Sequence, residues 1–257
     1  MKVVILAGGL GTRLSEETYL KPKPMVEIGQ MPIIWHIMKH YSSFGLSDFI
    51  ICAGYKDYVI KEFFANYSHY RSNMKIDLKH SLIETENDQV EPWTVTIVNT
   101  GLDSNTGERL RRIRDHIAPN EDFCFTYGDG LSDVNIKELI EFHSNHKKLV
   151  SMTVIRPLSR YGSVELKGNS VTQFQEKPES QSFVNGGFFI LNEQVFSLIC
   201  PENPSWENDL LPLLVRQSEV HAYKHLGFWQ SMDTLRDKNL LEQMWNSGNP
   251  PWKSWND

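Results

Sequence analysis

The sequence predicts an α/β protein built on a mostly parallel, mixed sheet flanked by helices, with a smaller antiparallel lobe. Three observations carry this. Short apolar runs alternate with helical patterns through the first half, the order expected of β-α-β units. Two of the first-half runs, Val3–Ala7 and Asp48–Ala53, close on glycine, which stops a strand without steric cost. In the second half, short strand patterns are separated by Gly, Pro, Ser and Asn, which reads as antiparallel additions and loops over the sheet.

Val3–Ala7 is a β-branched apolar run and reads as a buried strand. Pro32–Phe44 is expected to be a helix, with Ile33, Ile34, Ile37, Met38 and Tyr41 on one face and Pro32 in its first turn. His36 and His40 stand four apart on it. No acidic residue completes an HExxH pattern, so they read as a polar helix edge rather than metal ligands. Asp48–Ala53 is a buried strand and Tyr58–Tyr67 a helix. Val95–Asn99 and Phe123–Tyr127 are strands. Ile136–His146 is a helix capped by Asp133 or Asn135, with His143 and His146 on its solvent side. Val150–Ile155 is a strand. Gly162–Leu166, Val171–Gln175 and Gly187–Leu191 are the short strands of the second half, and Trp206–Gln217 and Leu235–Trp245 are helices. Trp252 and Trp255 need a covering surface, from this chain or a neighbouring copy.

At 257 residues, with 40% hydrophobic and 23% charged residues, the chain suits one globular domain. No linker, repeat or charge run divides it. A net charge of −6 provides no global field for nucleic acid or an anionic membrane, so an anionic ligand needs a local basic cluster. Cys52, Cys124 and Cys200 form no CxxC pair and read as buried reduced thiols of a cytoplasmic protein. The N-terminal apolar run is too short for a signal peptide, and no run reaches the length of a membrane span.

The first strand runs directly into Gly8, Gly9 and Gly11. Bare backbone N–H groups at a strand end bind phosphate well. Arg13 and Lys23 add fixed charge, and Pro22 and Pro24 stiffen the loop that carries Lys23. The stretch Gly9-Leu10-Gly11-Thr12-Arg13-Leu14 has Leu14 where a dinucleotide fingerprint has its third glycine, which argues against a nicotinamide oxidoreductase. Asp129, between Gly128 and Gly130, ends a central strand, where α/β sheets bind ligands. Asp233 precedes the last helix, as its N-cap or as a second carboxylate. Together the two aspartates could hold one hard cation beside a triphosphate. Glu176-Lys177-Pro178 and Asn185-Gly186-Gly187 sit at strand ends and suit a phosphorylated polyol.

The set Leu6–Leu14, Lys21–Met25, Gly128-Asp129, Glu176-Lys177-Pro178 and Asn185-Gly186-Gly187 resembles the sugar-nucleotidyltransferase family, in order and spacing, over nearly the whole chain. Within it, the Asn99–Leu110 stretch, Gly227–Thr234 and the tryptophan tail are similar to the branch that joins CTP to glucose 1-phosphate. The resemblance implies a Rossmann-like mixed sheet in one domain, 1–257, with a nucleotide-binding lobe (1–150) and a sugar-phosphate lobe with the tail (151–257). It implies that the backbone of Leu6, Ala7, Gly8 and Gly9 meets base and ribose, completed by Ser104, Arg109 and Gly128, with Leu10 also nucleotide-binding. Gly11, Thr12 and Arg13 would hold the β- and γ-phosphates and Lys23 the α-phosphate, with Arg13 and Lys23 catalytic. Asp129 and Asp233 would bind Mg2+. Tyr127, Glu176, Lys177, Asn185, Gly186 and Trp229 would hold the sugar phosphate. The product would be CDP-glucose, towards deoxysugar and O-antigen precursors, made by a homo-oligomer, a hexamer. A thymidylyl- or uridylyltransferase and a nucleotide-sensing protein without turnover are the alternatives.

Overall fold

The computed structural model describes residues 1–86, 90–157, 163–176, 182–199 and 202–255. Its centre is a seven-stranded sheet: β1 (Val3–Ala7), β2 (Asp48–Ala53), β3 (Thr94–Asn99), β4 (Asp122–Tyr127), β5 (Val150–Ile155), β6 (Val184–Asn192) and β7 (Val220–Lys224). The spatial order is β7-β5-β6-β4-β1-β2-β3. All neighbours pair in parallel except β6, which runs antiparallel to both β4 and β5.

β1 is buried on both faces. Val3, Ile5 and Ala7 face one core with Phe49 and Ile51; Val4 and Leu6 face the other with Ile50 and Cys52. This period-two division of an unbroken apolar run is what a central parallel strand requires. The register aligns Ala7 with Ala53 and Leu6 with Tyr127. The loops after β1, β2 and β4 therefore leave the sheet at one level, at the carboxyl edge where such sheets bind ligands.

The expected helix over 32–44 spans Ile33–Ser43, and Ile136–His146 has the expected bounds, with Asn135 Oδ1 accepting from the Glu138 N–H at 3.2 Å. Tyr58–Tyr67 corresponds to two helices, Asp57–Ala65 and Tyr67–Arg71, parted at Asn66. Trp206–Gln217 opens with a π-helical turn, Trp206–Leu210, before the α-helix Leu211–Arg216. Ser163–Lys167 and Ser170–Gln175 form the expected antiparallel hairpin. Gly187–Leu191 belongs elsewhere: it is the middle of β6, inside the main sheet. Phe188 to Leu191 are all buried, one side chain after another on opposite faces, which an add-on strand over the sheet could not achieve. A second hairpin, Asn73–Asp77 with Leu82–Glu86, was not expected.

The histidines correct a sequence expectation. His36 and His40 are buried, not a polar edge. The His36 Nε2–H donates to Ile28 O at 2.8 Å, leaving Nδ1 to accept from Trp252 Nε1 at 3.4 Å. The His40 Nε2–H donates to Val134 O at 2.9 Å and its Nδ1 accepts from Ser254 Oγ at 3.0 Å. Each ring uses both nitrogens as a neutral imidazole and staples the helix to the C-terminal tail. The tail is covered by this chain itself: Trp252 is fully buried, stacked with Trp245 and Phe228, and Trp255 meets Trp35 edge-on at 5.6 Å. His143 is likewise buried, and both His143 Nδ1 (2.9 Å) and His146 Nε2 (2.7 Å) engage Ser151 Oγ of β5, so neither points simply to solvent.

Burial lowers both His36 and His40 to a pKa of about 4. The unfolded chain takes up these protons below about pH 6.5 and the folded chain only near pH 4. Stability should therefore fall as pH drops from 7 to 4.5, by roughly 2 kcal/mol per ring. Urea unfolding at the two pH values measures it; imidazole resonances of these residues titrating near their ordinary value would contradict it.

Cys52 and Cys124 are buried free thiols, pushed up to about 12 by burial. Cys200 lies outside the described residues. Among the described residues, no helix is long and apolar enough to cross a membrane.

Candidate active site

A cleft of about 450 Å³ opens at the carboxyl ends of β1 and β4. Leu6, Ala7, Gly8, Gly9, Gly11, Thr12 and Arg13 form one wall, with Ser104 and Arg109 behind it; Lys23, Tyr127, Gly128, Asp129 and Asp233 complete the lining. Leu10 is half exposed at the loop tip and off the lining. Glu176 is exposed at the end of a hairpin strand and off it too. Lys177 lies outside the described residues. Asn185, Gly186 and Trp229 sit one layer behind the wall: Asn185 Nδ2 donates to Tyr127 Oη at 3.2 Å, and Trp229 Nε1 to Gly186 O at 2.6 Å.

The glycine loop has its shape for two physical reasons. Gly11 takes a φ of 66°, in the left-handed region that a side chain disfavours, and turns the chain into the short helical turn Thr12–Leu14. At Gly8, a Cβ would lie 2.0 Å from Arg109 Nη1. The buried Arg109 guanidinium fills that space. Nη2 donates to Gly8 O (2.9 Å) and Leu102 O (3.1 Å); Nη1 donates to Gly101 O (2.7 Å) and Thr100 Oγ1 (2.8 Å). One side chain thus ties the loop after β1 to the loop after β3. It rides on the helix Thr106–Arg111, which the sequence reading did not anticipate.

Lys23 stands beside Gly11. Pro22 is extended, and Lys23 begins a tight turn with Pro24 next to it. Its ammonium donates to Asp129 Oδ2 at 2.5 Å and to Asp233 Oδ1 at 2.9 Å. Arg13 Nη1 also reaches Asp233 Oδ1, at 3.3 Å. Burial alone would lower the Lys23 pKa, but the Asp129 charge and the two carboxylate hydrogen bonds outweigh it and hold the ammonium above its ordinary range. Burial would raise Asp233, and Lys23 reverses that, so Asp233 stays below the ordinary carboxylate range. The N-cap of the last helix is Thr234, in a capping box with Asp237, which leaves the Asp233 carboxylate free of capping duty.

The two aspartates, far apart in sequence, converge on one cation position, which Lys23 Nζ fills. A hard divalent cation fits this donor set, provided phosphate oxygens supply its other ligands. Among the described residues no group of three acidic, histidine or cysteine side chains converges to hold a metal unaided.

Pro24, Asn105, Thr106, Ser205 and Glu207 also line the cleft and were missed. Ser205 caps the π-helical turn, its Oγ accepting from the Asn208 N–H at 3.1 Å. Nothing local marks Glu207.

The nucleotidyl transferase family model matches residues 2–257. The chain is 52% identical over 256 residues to the glucose-1-phosphate cytidylyltransferase of Salmonella typhimurium, covering 99% of this chain and 100% of that one. A solved UDP-glucose pyrophosphorylase with UDP-glucose superposes with a TM-score of 0.70 at 17% identity, over 96% of this chain and 99% of that one. HddC from Yersinia pseudotuberculosis superposes with a TM-score of 0.69 at 23% identity, over 95% and 99%. These two structures share the fold.

Proposed function

The chain belongs to the nucleotidyl transferase family, and from that premise we propose that it transfers the cytidylyl group of CTP to glucose 1-phosphate, forming CDP-glucose and pyrophosphate. The observation that carries the choice of substrates is the 52% identity, end to end, to the Salmonella typhimurium glucose-1-phosphate cytidylyltransferase.

A phosphate oxygen of glucose 1-phosphate attacks the α-phosphorus of CTP, and the bond to the bridging oxygen of pyrophosphate breaks. The attacking oxygen is already anionic near neutral pH, so no general base is needed. The work is to bring two anions together and to stabilise charge on the leaving group. Lys23 leaves its aspartates for the α-phosphate, and Gly11, Thr12 and Arg13 hold the β- and γ-phosphates. Leu6 to Gly9, Ser104, Arg109 and Gly128 frame the cytidine. Tyr127 takes the sugar phosphate at the cleft wall, backed by Asn185, Gly186 and Trp229, and Glu176 and Lys177 would complete that site with substrate bound. Asp129 and Asp233 would hold Mg2+, which supplies positive charge between the phosphates. Asp129→Asn should then raise the Mg2+ concentration needed for half-maximal rate about tenfold or more. An unchanged magnesium titration would remove Asp129 from that role.

We assign the protein to the cytoplasm, supported by its buried reduced thiols, and to a homo-oligomer, a hexamer. The hairpin Asn73–Asp77/Leu82–Glu86 supports assembly: Ile76, Leu78, Leu82 and Ile83 are all more than half exposed on it. Light scattering should give six chain masses, and Ile83→Glu should reduce that; a wild-type monomer would contradict the assignment.

Pyrophosphate release across CTP, UTP and dTTP, each with several hexose 1-phosphates, tests the function. The pair CTP and glucose 1-phosphate should be fastest. Equal rates with UTP or dTTP would point to the uridylyl- or thymidylyltransferase reading.

A further inference from the structure

A carboxylate in the wall of a cleft meant for two polyanions needs a reason, because its charge opposes both. Glu207 is such a residue, and its two oxygens are occupied by three hydroxyl donors. Oε1 accepts from Tyr127 Oη at 2.7 Å; Oε2 accepts from Thr106 Oγ1 at 2.5 Å and Ser205 Oγ at 2.9 Å. Hydrogen bonds to an ionised acceptor are the stronger kind.

Two of the partners come from different elements of the cleft lining, the end of β4 and the start of the helix Thr106–Arg111. Tyr127 ends β4 and carries Asn185 of β6 on the same hydroxyl. Burial and the adjacent Glu207 raise the Tyr127 phenol above its ordinary range, so it stays protonated and remains a donor. Thr106 opens the helix that bears Arg109, and its hydroxyl also accepts from the Trp206 N–H at 2.8 Å. The Glu207 segment grips that helix elsewhere as well. Pro204 O accepts from Glu108 N at 3.0 Å, and Asn203 accepts from Asn105 through Oδ1 (2.8 Å) and O (2.9 Å). A Cβ on Gly107 would meet Pro204 O at 2.8 Å, so helix and segment are in direct contact.

We infer that Glu207 is a positioning residue for the transfer reaction, a strut that sets the Tyr127–Asn185 wall, where the sugar phosphate is received, against the Thr106–Arg109 wall, where the nucleotide is received. This rests on the proposed function. A strut of this kind matters because a small misplacement of one reactant costs rate out of proportion to its size.

The test is a double-mutant cycle in the full chain, with KM for each substrate, kcat and the thermal midpoint measured for Glu207→Ala, Glu207→Gln, Tyr127→Phe and the Ala/Phe double variant. Glu207→Ala should raise KM for glucose 1-phosphate about tenfold and lower kcat by a similar factor. Glu207→Gln keeps an oxygen for Tyr127 and should recover part of the KM. The double variant should be no worse than the worse single one, because both remove the same link. A residue needed only for folding would lower the active fraction and kcat, leave both KM values in place and show no recovery with Gln. An unchanged KM for glucose 1-phosphate, or additive effects in the double variant, would overturn the inference. If Glu207→Ala does not fold, Glu207→Met, which keeps the bulk and removes the carboxylate, closes the same cycle with Tyr127→Phe. Wild-type protein that makes no CDP-glucose would instead sink the proposed function.

Discussion

Lys23→Ala should lower kcat by about 10²- to 10³-fold, the loss expected when one preorganised charge-stabilising donor is removed from a site of charge transfer. Lys23 is placed by a proline on either side and by two carboxylates, and only 12% of its side chain is exposed. Before substrate arrives, its charge is therefore held in a set position at the cleft. Its removal has a second consequence: in the substrate-free site Asp129 and Asp233 lose the cation between them. Lys23→Arg should not restore the rate, since the longer, planar guanidinium cannot present its charge to the α-phosphate as a compact ammonium does. Steady-state kinetics of both variants decides it; turnover of Lys23→Ala within tenfold of wild type would contradict the role.

Arg109→Met should lose about 100-fold or more in kcat/KM for CTP. It should also lose about 3 kcal/mol of stability, the upper end for a buried group left without its partner. The methionine has comparable reach and apolar bulk, so the change isolates the guanidinium. Gly8 O, Gly101 O and Leu102 O would each lose a donor, and the loops after β1 and β3 would lose their common anchor. Urea unfolding and the CTP dependence of the rate measure the two effects. A variant with wild-type KM for CTP and wild-type stability would show that the clamp does not shape the nucleotide wall.

What was legible in the sequence follows from what is local. β1 and β2 were read within a residue because burial on both faces leaves a continuous apolar run, Val3–Ala7 in one and 49–53 in the other. The helix at Ile33–Ser43 was read because one apolar stripe is enough to identify it; that its other face is buried too could not be read, since His36 and His40 find their partners at Ile28, Val134 and the tail. The apolar run in β6 was read as a strand and placed in the wrong layer. Local pattern is the same in either place, and only the chain crossover decides. The glycine loop, Lys23 and Asp129 were found because strand-glycine and proline-lysine patterns sit within a few residues of each other. Asp233 stayed ambiguous until Thr234 proved to be the cap. Glu207 gave no signal, because Tyr127 and Thr106 are 80 and 101 residues away from it.

The most direct measurement is phosphorus NMR of the wild-type protein with CTP, glucose 1-phosphate and Mg2+. The account predicts that CDP-glucose and pyrophosphate grow in equal amounts while both substrates disappear. CTP that stays intact while bound in the cleft, or that loses only its γ-phosphate, would contradict it.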